Sequence, residues 1–194
     1  LYADNVDLSI YNNLIDCVNE NMNVMYKYYD LRKKVLKLDE LHLYDMYADL
    51  IKGKSKDYSF DEAKKLVIDS LSVLGDDYIK NLNRAFDERW IDVYHNKGKR
   101  TGAYSSGFYD TNPFLLLNYE GKLNDVSTLA HELGHSMHTF YSCKNNPYCY
   151  SNYSIFVAEV ASTVNELLLS KYLISTSKDK EEKLPLIGNL AFYK

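Results

Sequence analysis

A chain of 194 residues, 46% hydrophobic and 26% charged, has room for one domain with a sizeable core, and its composition is ordinary for a globular protein in water. Its net charge of −4 offers no basic patch, so neither nucleic acid nor an anionic membrane is an expected partner. No apolar run approaches the roughly 20 residues that span a bilayer, and neither a membrane span nor a signal peptide is expected.

Asp7 or Ser9 can cap a long helix predicted to run to about Leu38, with Tyr11, Leu14, Val18, Met22, Met25 and Tyr29 as its buried stripe. Arg32, Lys33, Lys34 and Lys37 gather in its last turns, where cations suit the helix dipole. Asp39 to Tyr47 reads as a second short helix or an irregular helical turn. His42 within it reads as a structural histidine, because no closely spaced partner supports metal binding. A polar loop is expected from Gly53 to Asp57. Ser59-Phe60-Asp61-Glu62 is a capping box that opens a helix ending near Leu74, with Gly75 as its C-terminal cap. Another helix is predicted from about Asp76 to Trp90. The helical stripes of this first portion read as packing.

The texture changes at Trp90. Ile91 to Tyr94 alternates as a short strand, Asn96 to Arg100 reads as a turn, and Gly102 to Gly107 is a small-residue segment. That segment is either a flexible loop or a wall that contacts a substrate; it lacks the Gly-Lys-Ser/Thr ending of a phosphate loop. Phe114 to Tyr119 reads as a strand, whose edge can pair with an extended peptide through the backbone alone. Gly102, Ala103, Tyr104, Leu116 and Asn118 are therefore the candidate substrate contacts.

Glu120-Gly121-Lys122 turns the chain, and Asp125 or Ser127 can cap the helix that follows. His131, His135 and His138 fall within an arc of roughly 60° on it, while Val126, Leu129, Ala130, Leu133, Met137 and Phe140 fall on the opposite side. Two histidines four apart on one face can direct ring nitrogens at one metal ion, and Glu132 can reach a water beside that metal. The plainer alternative is a surface helix with solvated or hydrogen-bonded histidines. After a loop from Ser142 to Tyr153, a nearly apolar helix is predicted from Ser154 to Ile174, expected to be buried except for a stripe of Glu159, Ser162, Thr163 and Glu166. Carboxylates on a buried helix are costly unless paired or bound to metal. Glu159 is taken as the third metal ligand, against the alternative of a structural ion pair, and Glu166 as an acceptor for a ligand histidine. His138 points the same way as the ligands but lies one turn beyond them, which suits a supporting or pocket-lining role. Lys178 to Lys183 reads as a solvated loop.

Two imidazoles and one carboxylate leave Zn²⁺ an open position, the arrangement of a catalytic rather than a structural site, with one zinc per chain. Glu132 is then the general base of a metal-assisted peptide hydrolysis. Three cysteines (Cys17, Cys143, Cys149) fit free thiols in a reducing cytoplasm; a Cys143–Cys149 loop disulfide is compatible with the spacing but not required. The chain opens at Leu1 rather than Met and both ends read as cut.

His131-Glu132-Leu133-Gly134-His135-Ser136-Met137-His138 and the run from Phe156 to Glu166 resemble the family of zinc metallopeptidases that includes thimet oligopeptidase and oligoendopeptidase F, the latter more closely. Gly98 to Ser105 and Asp39 to Asp45 are similar as well. The resemblance implies a mainly α, zincin-like catalytic region with a small β-sheet beside the zinc helix. Residues 1–194 would form part of one such domain, with 1–90 helical and 91–194 carrying the sheet, the His-Glu-x-x-His helix and the third-ligand helix. It implies endopeptidase action on short unstructured peptides, zinc on His131, His135 and Glu159, and Glu132 as base. It also implies substrate-holding histidine and tyrosine residues further downstream than this chain reaches. A peptide-binding fragment without turnover and a purely structural helical module are the alternatives.

Overall fold

The computed structural model describes residues 5–48, 50, 56–178 and 180–193 and divides into two units, Leu1–Gly53 and Lys54–Lys194. In the first, Asp7 caps α1 (Leu8–Glu20), its carboxylate accepting the Ser9 N–H at 2.8 Å. The single long helix expected here is in fact two. Asn21 leaves helical geometry (φ −104°, ψ 8°), and its side-chain amide donates to the Cys17 carbonyl at 2.7 Å, ending α1 before α2 (Met22–Leu36) begins. The expected buried stripe is not buried: Tyr11, Leu14, Val18 and Met25 are exposed, and α1 buries none of its residues. Arg32 is buried instead, donating to the Asp45 and Ala48 carbonyls at 2.7 and 2.6 Å and to Tyr28 Oη at 3.2 Å. Lys37 takes a left-handed conformation (φ 57°) and stops α2. A 3₁₀ turn follows at Leu43–Tyr47, where the His42 N–H donates to Asp45 and its ring stacks on Tyr44. Most of the expected Gly53–Asp57 loop lies outside the described residues.

In the second unit the Ser59 capping box forms as read. Ser59 N–H donates to Glu62 Oε2 at 2.8 Å, and Glu62 N–H returns to Ser59 Oγ at 3.2 Å, opening α3 (Phe60–Leu71). A 3₁₀ turn (Ser72–Leu74) and Gly75 at φ 92° lead to α4 (Asp76–Asp87). This helix ends before Trp90 because Arg89 turns left-handed (φ 61°) and the Trp90 N–H folds back to the Ala85 carbonyl. α5 (Leu123–Asn145) runs through the core, burying Val126, Leu129, Ala130, Leu133 and Met137 against Val67 and Leu71 of α3, Leu82 of α4, Trp90, and Leu169 of α6 (Ile155–Thr176). Its N-cap is Lys122, not Asp125 or Ser127. Asp125 sits inside the first turn and reaches back to accept the Lys122 and Glu120 N–H groups at 2.9 and 3.0 Å.

Three short strands, β1 (Ile91–Asp92), β2 (Tyr104–Ser106) and β3 (Phe114–Leu116), form a sheet of order β1-β3-β2. β3 runs parallel to β1 and antiparallel to β2, with Leu116 opposite Asp92 on one side and Tyr104 on the other. Two expectations are corrected here. The small-residue segment is part of the sheet, and the Phe114–Tyr119 strand is central, so it has no edge to offer a peptide. The edges belong to β1 and β2. Asn118 clamps the approach to β2, donating to the Arg100 and Gly102 carbonyls at 2.9 and 2.8 Å.

α6 is also not the buried helix expected. It buries Ser162, Asn165, Leu169 and Leu173, while Ile155, Phe156, Val160 and Leu167 are exposed. The residues facing α5 in its first half are thus small or polar, as a close helix crossing requires. The charged stretch read as a loop begins α7 (Lys180–Tyr193), whose first turn is tied by the Lys178 N–H to Glu182. Cys17, Cys143 and Cys149 are free. Among the described residues, no helix is long and apolar enough to cross a membrane.

Candidate metal centre

The site begins with an absent side chain. A Cβ on Gly134 would lie 2.6 Å from Ser162 Cα and 2.8 Å from the Ala161 carbonyl oxygen, so only glycine lets α5 and α6 approach this closely. Asn165 fastens the crossing: its amide donates to the Ala130 carbonyl at 3.1 Å, and its oxygen accepts from Tyr78 Oη at 3.1 Å. Glu159, one turn before Ser162, is thereby carried to the histidine face of α5.

His131 Nε2 and His135 Nε2 stand 3.1 Å apart, and each lies 3.4 Å from Glu159 Oε2. His131 turns its other nitrogen, Nδ1, to the Glu166 carboxylate. A proton on Nδ1 leaves Nε2 as a bare lone pair. Two imidazole nitrogens and a carboxylate oxygen converging this closely call for a cation between them. The proton is a poor one, since burial holds His135 below the ordinary imidazole range. Zinc bonds of about 2.0–2.1 Å at tetrahedral angles place neighbouring donor atoms about 3.3–3.4 Å apart. The two distances to Glu159 match this spacing and the 3.1 Å between the ring nitrogens is slightly shorter, and the group is the one cluster of His, Cys, Asp and Glu among the described residues suited to a metal.

Glu132, beside His131, is 7% exposed. Burial pushes its carboxyl up, opposed by the electrostatic effect of neighbouring His131 and by a hydrogen bond from the Ser105 backbone, and reinforced by Glu159. A carboxylate raised in this way is the stronger base. Glu159 moves in the opposite direction, held low chiefly by the hydroxyl of Ser162, 2.7 Å from Oε2.

His138 stays outside this cluster. Its ring stacks on Tyr153 at 3.6 Å, and its Nδ1 is buried with no hydrogen-bond partner among the described residues. Gly102, Ala103 and Asn118 line a cavity with Thr128 of α5, whereas Tyr104 and Leu116 face each other across the β2–β3 ladder. Two groups that sequence reasoning did not assign touch the site, Ser162 at Glu159 and the Ser105 backbone at Glu132. Ser162 had a legible signal, three residues after Glu159 on the same helical face. Ser105 had none, because its contact with Glu132 exists only once β2 packs on α5.

The chain matches the family described as Peptidase family M3 over residues 2–191. It is 45% identical over 190 residues to Oligopeptidase PepF of Bacillus subtilis, covering 98% of this chain and 28% of that protein. It is 49% identical over 196 residues to the Oligoendopeptidase F homolog of Borreliella burgdorferi, covering 98% of this chain and 33% of that protein. A solved chain from Chlamydophila abortus superposes with a TM-score of 0.88 at 44% identity, over 99% of this chain and 32% of that one. The chain thus spans about a third or less of the length of these relatives.

Proposed function

We propose, from the premise that this chain belongs to Peptidase family M3, that it carries the zinc site of an endopeptidase that hydrolyses short, unstructured peptides. The observation that supports this best is the convergence of His131 Nε2, His135 Nε2 and Glu159 Oε2 beside a buried Glu132. His131, His135 and Glu159 would hold the metal, with Glu166 orienting the His131 ring. When bound, zinc supplies a Lewis acid that polarises a carbonyl and lowers the pKa of a water. Glu132 accepts the proton of the attacking water at its carboxylate and hands it to the departing amine nitrogen. Its burial excludes bulk water from that proton.

A peptide backbone can add to the outer edge of β2, which leaves Gly102, Ala103 and Tyr104 as its contacts. Leu116 and Asn118 act from behind, by pairing with β2 and clamping its entry. Recognition through backbone bonds would tolerate varied sequences. Three free thiols fit a cytoplasmic setting.

The test pairs metal analysis of the purified chain with cleavage of a quenched fluorescent peptide, with and without chelator. Stoichiometric zinc and chelator-sensitive cleavage are expected. Zinc without cleavage would support a peptide-binding fragment, and a chain without zinc affinity would support a structural module.

A further inference from the structure

Of the three donor groups, two are short, rigid rings on one helix, and His131 is held from behind by Glu166. Glu159 differs. Its side chain is 63% exposed, on a stem with three rotatable bonds that a helical backbone restricts at χ1 but does not fix further out. What meets it from the protein side is Ser162 Oγ, 2.7 Å from Oε2, the same oxygen that faces both ring nitrogens. Ser162 itself is fully buried, wedged under Gly134 in the α5–α6 crossing. Its hydroxyl also lies 3.0 Å from the Glu159 carbonyl, but that carbonyl has Thr163 Oγ1 as another donor. The single Ser162 proton is therefore available to the carboxylate.

We propose that Ser162 is a positioning residue of the metal site, a buried hydroxyl that locks Glu159 Oε2 toward His131 and His135. The inference rests on reading those three residues as metal ligands. Gly134 sets how near α6 comes, and Ser162 sets which way its carboxylate points. The carboxylate then needs no rotamer search when the metal arrives, which is how an outer partner raises the affinity of a ligand.

Zinc affinity, measured by competition with a chromophoric chelator, is compared for the wild-type chain, Ser162→Ala, Glu159→Ala and the double variant, together with the metal-free thermal midpoint of each. Ser162→Ala is expected to weaken zinc roughly 10- to 100-fold at an unchanged metal-free midpoint, and to alter the visible absorption of the Co²⁺-loaded chain. Added to Glu159→Ala it should cost nothing more, because the hydroxyl acts through the carboxylate. Wild-type affinity in Ser162→Ala overturns the proposal. So does an equal loss on both backgrounds, the mark of a merely structural serine. If instead the wild-type chain binds no zinc, or Glu159→Ala binds it undiminished, the ligand reading beneath the proposal is what fails.

Discussion

Gly134 and Ser162 meet across the α5–α6 crossing at a distance that leaves no room for a methyl group. Gly134→Ala gains about 1 kcal/mol of helix propensity but drives a carbon into the backbone of α6, an overpacking of about 1–3 kcal/mol. The atoms struck are main-chain and cannot rotate away, so the clash wins. The variant should unfold at lower denaturant and bind zinc more weakly. Equal midpoints for the two proteins would show that α6 gives way at no cost.

Glu132→Gln removes the proposed proton acceptor and keeps the shape. Zinc content should be unchanged while peptide cleavage falls about 10²–10⁴-fold. Metal analysis and a steady-state assay on the same sample separate the two effects. Retained turnover would exclude Glu132 as the base.

Glu166→Ala leaves His131 Nδ1 without its carboxylate. Zinc affinity should drop roughly 10- to 100-fold, as for other outer partners of ligand histidines. Chelator competition reads this directly, and wild-type affinity would mean the contact orients nothing.

The Ser59 capping box should make stability depend on acid. Hydrogen bonds from Ser59 hold the Glu62 carboxyl below its ordinary value of 4.5. A depressed carboxyl contributes stability that is fully present above the unfolded-state value and is lost as pH falls through the folded one. The metal-free wild type should therefore exceed Glu62→Gln in denaturant midpoint at neutral pH, with the gap closing below about pH 4.5. A gap that is constant with pH would remove Glu62 as its source.

What the sequence made legible was local. The histidine spacing, Glu132, the Ser59 box and the stripe holding Glu159 and Glu166 each sit within a few turns of one helix, where 3.6-residue periodicity reports neighbours. What it hid was pairing. Tyr104-Ser105-Ser106 has no strand signature of its own and becomes a strand only because Leu115 lies opposite. The same ignorance of partners made Phe114–Tyr119 look like an edge, although β1 covers its other side. The apolar character of α6 suggested burial, yet the face that touches α5 is set by a small Ser162 and a hydrogen-bonding Asn165, not by hydrophobicity. At Asn21 a side-chain amide competing for a carbonyl split a helix that periodicity had run straight through.

The i, i+4 spacing of His131 and His135 also divides the assembly of the site in time. One helical turn, a sub-microsecond event, already brings both nitrogens into register. The Glu159 oxygen arrives only when two distant segments dock. An ion that requires all three donors therefore binds the docked pair and not the separate coils, and its free energy becomes folding free energy of that crossing. Followed at rising zinc concentration, the unfolding midpoint is a gauge of how firmly α5 and α6 hold together.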